Sequence, residues 1–162
     1  MRSSFVIVVS DRVMSGERED RAGDIAEEML LGSGFADVRR VVVGEGRDAV
    51  EEQIRKALDT QTPLIVTCGG TGVQPSNLTP EATEPFITTR LHAIEQMVLL
   101  EGLKNTRHAA MTRGLIGFSS REAGGSLIVN APGSSGGVKD TLGVILELWP
   151  RLSEGIIPDG EN

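Results

Sequence analysis

Cysteine and aromatic residues are scarce in this chain. Among its 162 residues there is one cysteine, Cys68, and aromatic residues make up 3%, with no tyrosine. A single cysteine excludes both an intramolecular disulfide and a cysteine-rich zinc site. The low aromatic content also argues against a protein that binds single-stranded nucleic acid by stacking bases on aromatic rings.

Long hydrophobic runs are absent as well. The longest run near the start, Phe5 to Val9, is followed at once by Ser10, Asp11 and Arg12. It is much shorter than the ~20 residues of a membrane span, and it has no signal-peptide cleavage pattern. The sequence therefore predicts a cytoplasmic protein with no membrane partner.

Positive charge is in deficit, and the net charge at neutral pH is −7. An acidic chain is a poor candidate for general nucleic-acid binding, which depends on a basic surface. An anionic ligand is not excluded, because backbone N–H groups bind phosphate without basic side chains. The length predicts a single domain over residues 1–162, with a core at about 4–150 and a frayed tail at 156–162.

Glycine, by contrast, is abundant, and apolar segments alternate with amphipathic ones. Glycine accounts for 20 of the 162 residues, about 12% against a usual ~7%. Runs of β-branched residues predict strands that are buried on both faces of a parallel sheet, and Asp48 with Glu51 has the spacing of a helix capping box. Strand and helix alternation predicts an α/β fold with a mostly parallel sheet covered by helices. The alternating segments are 5–9, 25–30, 38–43, 50–58 and 64–67.

The second half continues with helices and one more buried strand. Thr79 and Pro80 have the pattern of a helix cap followed by the first helical position, and the helical pattern extends to Leu103 with a break near Thr88. The remaining segments are an irregular stretch at 105–125 with a short strand near 115–118, a strand at 126–130, a glycine- and serine-rich turn at 132–137, and a helical face at 138–149.

Four loops follow the predicted strands, at the sheet edge where parallel α/β proteins bind ligands. Gly69, Gly70 and Gly72 lie in one loop and would let backbone N–H groups approach an anion, although a simple tight turn is the alternative. The loop matches neither the phosphate-loop motif nor the dinucleotide fingerprint. The turn at 132–137 equally fits an anion site at a helix N-terminus or an ordinary turn with a serine N-cap.

Carboxylates lie next to these loops. Asp11, Glu45 and Glu81 are candidates for holding Mg²⁺ against a triphosphate, because Mg²⁺ prefers one or two carboxylates together with phosphate oxygens. For Glu81, a favourable interaction with the helix dipole is an equally good explanation. The remaining reactive side chains lack metal spacing or a neighbouring base, and we expect them to be surface or structural groups: His92, His108 and Cys68.

In this order, the loops resemble those of the molybdopterin-binding family. That family includes the molybdopterin adenylyltransferases and the bacterial molybdenum cofactor biosynthesis proteins of the MogA/MoaB type. The resemblance extends from about Phe5 to Trp149. It is carried by Val8–Arg12 with Ser15-Gly16 and Glu19–Gly23, by Cys68–Gly72 with Leu78–Ala82, by Thr112–Gly114 with Gly117, and by Asn130–Ser134.

The resemblance implies a three-layer α/β/α fold and a homotrimer or hexamer that works with other proteins of molybdenum cofactor biosynthesis. It implies that MgATP donates AMP to the phosphate of molybdopterin and that pyrophosphate is released. The implied catalytic residues are Asp11, Glu45, Asn77 and Glu81, with Glu45 and Asn77 as metal ligands. The implied binding residues are Ser10, Gly69, Gly70, Thr71, Gly72, Thr79, Pro80, Arg113, Asn130, Pro132, Gly133, Ser134 and Ser135.

Three positions depart from the family pattern. Asn77 stands where aspartate is usual, Glu45 replaces a shorter carboxylate, and Val98 replaces a helix arginine. Each change affects the handling of a metal or an anion, so a molybdopterin-binding homologue with weak or no transfer activity is one alternative. An unrelated nucleotide- or phosphate-binding α/β domain is another. The apolar stretch from Leu99 to Phe118 is the predicted subunit contact.

Overall fold

Six strands form one mostly parallel sheet in the computed structural model, which describes residues 2–158. The strand order is β2-β1-β3-β6-β5-β4. The first four strands in that order are parallel to one another. At the far side, β5 pairs antiparallel with both of its neighbours, β6 and β4. The strands are β1 Ser3–Val9, β2 Asp37–Val43, β3 Leu64–Cys68, β4 Thr89–Arg90, β5 Ile116–Phe118 and β6 Leu127–Ala131.

The parallel strands end at a common edge. Val9 at the end of β1 pairs with Val43 at the end of β2, and Cys68 of β3 pairs with Ala131 of β6. The loops that follow these four strands therefore begin side by side. β2 is an edge strand, which agrees with the arginines in its sequence.

Helices cover both faces of the sheet, which confirms the three-layer α/β/α fold. On one face, α2, α5 and α6 pack over apolar residues such as Val6, Val66 and Val129. On the other face, α3 and α4 pack over Ile7 and Ile65. The helices are α1 Asp11–Met14, α2 Arg21–Gly32, α3 Arg47–Asp59, α4 Thr79–Thr83, α5 His92–Asn105 and α6 Ser135–Leu152, with short 3-10 helices at Glu84–Phe86 and Arg107–Met111.

The segment between α4 and α5 differs from the predicted pattern. The helical pattern was predicted to run from Thr79 to Leu103 with a break near Thr88, and the structure confirms the break but places a strand there. Thr89 and Arg90 form β4, which pairs with Phe118 and Gly117. A two-residue strand is too short to show a periodicity of its own, and for that reason the sequence pattern did not reveal it.

Two predicted helix caps are wrong. Asp48 was predicted to cap α3, but Gly46 is the N-cap, with a φ of 129°, and Glu51 pairs with Arg47 instead. Thr79 was predicted to cap α4, but it is the first helical residue, and its hydroxyl bonds elsewhere. At α3 the helix begins before Asp48, which lies in its first turn, and at α4 the Thr79 hydroxyl donates to the Gly69 carbonyl instead.

The tail prediction is wrong for its first residues. Residues 156–162 were predicted to fray, yet Ile156 and Ile157 are only 2% and 5% exposed and belong to the apolar core. They follow α6, whose Trp149 ring packs against Phe35 with centroids 5.3 Å apart. Residues 159–162 lie outside the described part of the chain.

Among residues 2–158, the helices are all too short or too polar to cross a membrane.

Candidate functional site

A cavity of about 690 Å³ opens at the edge where the four parallel strands end. Loops after β1, β2, β3 and β6 form one side, as the sequence predicted from their position. Ten of the predicted site residues line it: Ser10, Asp11, Glu45, Gly69, Gly70, Thr71, Gly72, Pro132, Gly133 and Ser134. Seven do not: Asn77, Thr79, Pro80, Glu81, Arg113, Asn130 and Ser135.

Sequence reasoning missed a second wall of the cavity. It is made by α5, the 3-10 helix after it and the start of α6. Its residues include Val98, Leu99, Gly102, Asn105, Thr106, His108, Ala109 and Asp140. Val98 had been singled out by comparison with the family pattern, but neither the apolar spacing of α5 nor the irregular stretch after it indicated a cavity wall.

Two carboxylates line the cavity close together. Asp11 follows β1, Glu45 follows β2, and the backbone N–H of Glu45 donates to Asp11 Oδ1 at 2.9 Å. The two strands end at paired positions, so the sheet itself brings these loops together. The segment after β1 also brings Arg12, Arg18 and Arg21 to the cavity lining, so this region carries charges of both signs.

Asn77 presents a donor to this region. Its Oδ1 accepts from the backbone N–H of Gln74 at 3.1 Å, and its Nδ2 lies 3.4 Å from Glu45 Oε1. Because a backbone N–H can only donate, the bond to Gln74 fixes which side-chain atom is the oxygen. The amide therefore turns its NH₂ group towards Glu45, and this geometry disagrees with the prediction that Asn77 is a metal ligand.

The carboxylates of Asp11 and Glu45 fit a magnesium ion whose other ligands come from a bound substrate. Among residues 2–158 no cluster of three or more His, Cys, Asp or Glu side chains could hold a metal. Asp11 and Glu45 supply two carboxylates at the cavity surface. Mg²⁺ commonly binds through one or two carboxylates plus phosphate oxygens, so these two residues fit it only together with a phosphate-bearing substrate.

The glycine loop requires its glycines. Gly69 and Gly70 have φ values of 110° and 71°, a region that other residues rarely adopt. A Cβ atom on Gly69 would clash with the carbonyl oxygen of Val9. A Cβ on Gly133, in the turn after β6, would lie 3.2 Å from the Gly69 Cα, so the two glycine-bearing turns touch.

Thr79 and Arg113 lie behind the glycine loop. The Thr79 hydroxyl donates to the Gly69 carbonyl at 2.8 Å, and Arg113 Nε donates to the Gly72 carbonyl at 2.8 Å. The Arg113 guanidinium also donates to the Asn77 carbonyl at 2.7 Å and pairs with the Glu81 carboxylate. The hydrogen bond from Arg113 lowers the pKa of Glu81 below its usual value.

Asn130 links buried elements of the fold. Its Oδ1 accepts from the Leu115 N–H at 3.0 Å, and its Nδ2 donates to the hydroxyls of Thr67 and Thr83 at 2.9 and 3.0 Å. The residue is 3% exposed. Asn130 therefore joins β6, β3, α4 and the segment before β5. Its three side-chain hydrogen bonds are all made to other residues of the chain.

The turn after β6 opens α6 at the cavity. Ser134 is the N-cap of this helix, and its Oγ accepts from the Gly137 N–H at 3.0 Å. The serine N-cap that was one alternative for this turn is thus present, and α6 begins at Ser135 instead of near Val138. Ser134 also lines the cavity, so the positive end of an 18-residue helix faces it.

Cys68 and the two histidines have the features expected of them. Cys68 is 1% exposed, and burial raises the pKa of its thiol to about 12, which leaves no thiolate for nucleophilic attack. His92 and His108 are exposed. His108 nevertheless lies on the cavity wall, which its sequence spacing did not indicate.

Comparison with known proteins gives consistent matches. Residues 5–153 match a family model described as "Probable molybdopterin binding domain". A solved structure described as "Putative molybdenum cofactor biosynthesis protein from Corynebacterium diphtheriae" superposes with a TM-score of 0.87 at 40% identity, covering 96% of this chain and 98% of that one.

Curated relatives share similar identity but differ in length. The molybdopterin adenylyltransferase of Helicobacter pylori is 30% identical over 157 residues, which are 94% of this chain and 86% of that protein. The molybdenum cofactor synthesis protein cinnamon of Drosophila melanogaster is 34% identical over 149 residues, 90% of this chain. The chain spans only about a quarter of that longer protein, 24% of its length.

Proposed function

The chain belongs to the molybdopterin-binding domain family, and we propose that it transfers AMP from ATP to the phosphate of molybdopterin. Membership of this family places it in molybdenum cofactor biosynthesis. The finer assignment is supported by the name of its Helicobacter pylori relative, a molybdopterin adenylyltransferase. ATP and molybdopterin are then the substrates, and pyrophosphate is released.

One observation carries the proposal: the cavity places carboxylates opposite groups suited to binding phosphate. Asp11 and Glu45 lie after β1 and β2, whereas the glycine loop and the Ser134 turn lie after β3 and β6. In the proposed reaction, a phosphate oxygen of molybdopterin attacks the α-phosphorus of ATP in line. The bond to the bridging oxygen of pyrophosphate breaks as the new P–O bond forms.

The residues of the chain act by binding and orienting in this scheme. Backbone N–H groups of the glycine loop and the N-terminus of α6 would bind phosphate oxygens, with Ser10 at the end of β1 beside them. Asp11 and Glu45 would hold Mg²⁺, which when bound neutralises charge on the triphosphate. No protein nucleophile is needed, in agreement with the buried and protonated Cys68.

A second candidate function rests on Asn77. Its NH₂ group faces Glu45, so this chain has an amide donor where a further carboxylate would strengthen Mg²⁺ binding. A protein of this kind could bind molybdopterin and transfer AMP weakly or not at all. The two candidates make opposite predictions about turnover.

The test is direct. The protein is incubated with molybdopterin, ATP and Mg²⁺, and pyrophosphate and adenylylated molybdopterin are measured. Turnover that falls at least about tenfold in Asp11→Asn, and that stays unchanged in Asp59→Asn at the far end of α3, supports adenylyl transfer. Tight molybdopterin binding without turnover supports the second candidate, and neither binding nor turnover refutes both.

The proposal includes a homotrimer or hexamer of this chain, in the cytoplasm with other molybdenum cofactor proteins as partners. Part of the predicted contact, Leu99 to Phe118, is unsuited to it because Ile116 and Phe118 are buried in the sheet. The earlier part of this stretch, together with Met97 just before it, is better suited, since it exposes large apolar side chains: Met97, Leu100, Leu103 and Met111.

Light scattering tests the assembly. Leu100 is 61% exposed on α5, and Leu31 is 50% exposed on α2, so each can be replaced by glutamate without disturbing the core. Leu100→Glu should lower the mass to that of a monomer, while Leu31→Glu should leave it unchanged. A monomeric wild-type protein would refute the assembly.

A further inference from the structure

Four consecutive carbonyl groups in the glycine loop are held by only two residues. The Thr79 hydroxyl donates to the Gly69 carbonyl at 2.8 Å, and the Thr79 backbone N–H donates to the Gly70 carbonyl at 3.1 Å. The Arg113 backbone N–H donates to the Thr71 carbonyl at 2.9 Å, and Arg113 Nε donates to the Gly72 carbonyl at 2.8 Å.

These bonds determine where the N–H groups of the loop point. All described peptide bonds are trans, and in a trans peptide the N–H points opposite to the carbonyl of the same unit. The N–H groups of Gly70, Thr71 and Gly72 thus point away from Thr79 and Arg113. Within residues 2–158 none of the three donates a hydrogen bond, whereas the Gly69 N–H is bonded to the Ala131 carbonyl.

The side of the loop away from Thr79 and Arg113 is the cavity side. Gly70, Thr71 and Gly72 line the cavity, and neither Thr79 nor Arg113 does. Successive backbone N–H groups in a glycine turn form a concave site for anions. Such a site needs its carbonyl groups held away from the anion, because a carbonyl oxygen would repel it.

Thr79 and Arg113 are themselves fixed. Thr79 is 1% exposed in the first turn of α4, so its hydroxyl has no access to a ligand. The Arg113 guanidinium donates from Nε, Nη1 and Nη2 to Gly72, Glu81 and the Asn77 carbonyl. Its charge is balanced by Glu81, so its hydrogen-bonding capacity is directed into the protein.

We infer that Thr79 and Arg113 are positioning residues that orient the N–H groups of Gly70, Thr71 and Gly72 towards a phosphate group in the cavity. Neither residue contacts the ligand itself. The inference rests on the proposed function only for the source of the phosphate, which is the triphosphate of ATP or the phosphate monoester of molybdopterin.

Two pairs of variants separate positioning from direct contact. Thr79→Val removes the hydroxyl at nearly constant volume, and Thr79→Ser restores it. Arg113→Lys keeps the charge but cannot donate to three partners at once. Thr60→Val and Arg151→Lys are matched controls, because Thr60 ends α3 and Arg151 is an exposed partner of Glu154 near the end of α6.

The measurement is a titration of ¹⁵N-labelled full-length protein with ATP, molybdopterin and inorganic tripolyphosphate, followed by NMR. Amide signals of Gly70, Thr71 and Gly72 should shift with the ligand that supplies the phosphate. Loss of one oriented N–H should weaken binding about ten- to hundredfold in Thr79→Val and Arg113→Lys. Thr79→Ser should recover most of the affinity, and the controls should match wild type.

Ionic strength distinguishes the two roles further. If Arg113 contacts the phosphate by charge, Arg113→Lys keeps most of the affinity. If Arg113 positions the loop, Arg113→Lys loses affinity with an unchanged dependence on salt, since no charge contact with the ligand is lost. Thermal unfolding of each variant, measured alongside, ensures that affinities are compared between folded proteins.

The outcomes separate this inference from the proposed function. Amide shifts that are lost in Thr79→Val and Arg113→Lys support the inference even when no AMP is transferred. The inference is overturned when no ligand shifts these amides in the wild-type protein. It is equally overturned when both folded variants bind as tightly as wild type, whatever the rate of adenylyl transfer.

Discussion

Replacing Asn77 with aspartate exchanges an NH₂ group for an oxygen and reverses the interaction with Glu45. In the present structure the amide donates towards Glu45 Oε1 across 3.4 Å, and its own oxygen accepts from the Gln74 N–H. Aspartate keeps the hydrogen bond from the Gln74 N–H and loses the one to Glu45. Two carboxylate oxygens then face each other, so the variant gains a repulsion and also a further magnesium ligand.

The size of the repulsion follows from the separation. At 3.4 Å, two unit charges repel by ~1 kcal/mol in bulk water and by ~5 kcal/mol at an effective dielectric constant of 20. Both side chains are half-buried, so the value lies between these limits. We expect Asn77→Asp to lose roughly 1–3 kcal/mol of unfolding free energy when no divalent cation is present.

Urea unfolding in EDTA and in Mg²⁺ tests this prediction. In EDTA, Asn77→Asp should be less stable than wild type by the amount above. In millimolar Mg²⁺ most of the loss should be recovered, because the cation binds the folded state through Asp11, Glu45 and the new carboxylate. The wild-type protein, with its amide donor, should respond much less, and adenylyl transfer should rise in the variant.

A matched control lies on the other wall of the cavity. The Asn105 amide donates to Asp140 at 3.2 Å, so Asn105→Asp creates a similar pair of carboxylates. It should lose stability in EDTA but regain less in Mg²⁺, since Asp11 and Glu45 belong to the opposite loops. Equal stability of Asn77→Asp and wild type in EDTA, with no effect of Mg²⁺, would refute the assigned contact with Glu45.

Three buried or paired groups provide further tests. Asn130→Leu should cost about 2–4 kcal/mol in urea unfolding, because three hydrogen bonds at a buried site are lost. Cys68, with a pKa of about 12, should resist a thiol reagent at about pH 8 until the protein unfolds, and rapid labelling of native protein would contradict its burial. Arg113 lowers the pKa of Glu81, so the stabilisation is present above the unfolded pKa of ~4.3 and is lost as pH falls through the lower folded pKa. The difference in melting temperature between wild type and Glu81→Gln should therefore vanish in acid, and a difference independent of pH would exclude the pairing.

The alternation of elements was predictable because each parallel strand is buried on both faces. Such strands must be continuous apolar runs, as in Leu64 to Cys68, where all five residues are buried. A helix that connects two parallel strands must cross over one face of the sheet, so the alternation also predicts helical layers on the sheet. The strand Thr89–Arg90 was not predictable, since it exists only by pairing with β5, and two residues carry no pattern.

The location of the site was predictable for a related reason. Parallel strands end at one edge, so the loops after four strands had to meet there, and the cavity includes residues of all four. The direction of each side chain was not predictable. Thr79 and Arg113 match the family pattern and Asn77 departs from it, yet all three find hydrogen-bond partners that are distant in sequence, such as Gly69, Gly72 and Glu45.

The excess of glycine and the deficit of positive charge are parts of one arrangement. At the cavity edge, the N-cap of α2 is Asp20, a carboxylate paired with Arg40, whereas the N-cap of α6 is the neutral Ser134. The positive end of α2 is thus already matched by a charge, and that of α6 is not. The β3 and β6 side of the cavity therefore attracts phosphate through peptide N–H groups. The carboxylates of Asp11 and Glu45, on the β1 and β2 side, repel it unless a cation intervenes. This polarity suits a ligand that carries both phosphate groups and a divalent cation, and Arg12, Arg18 and Arg21 in the cavity lining add positive charge on the β1 side.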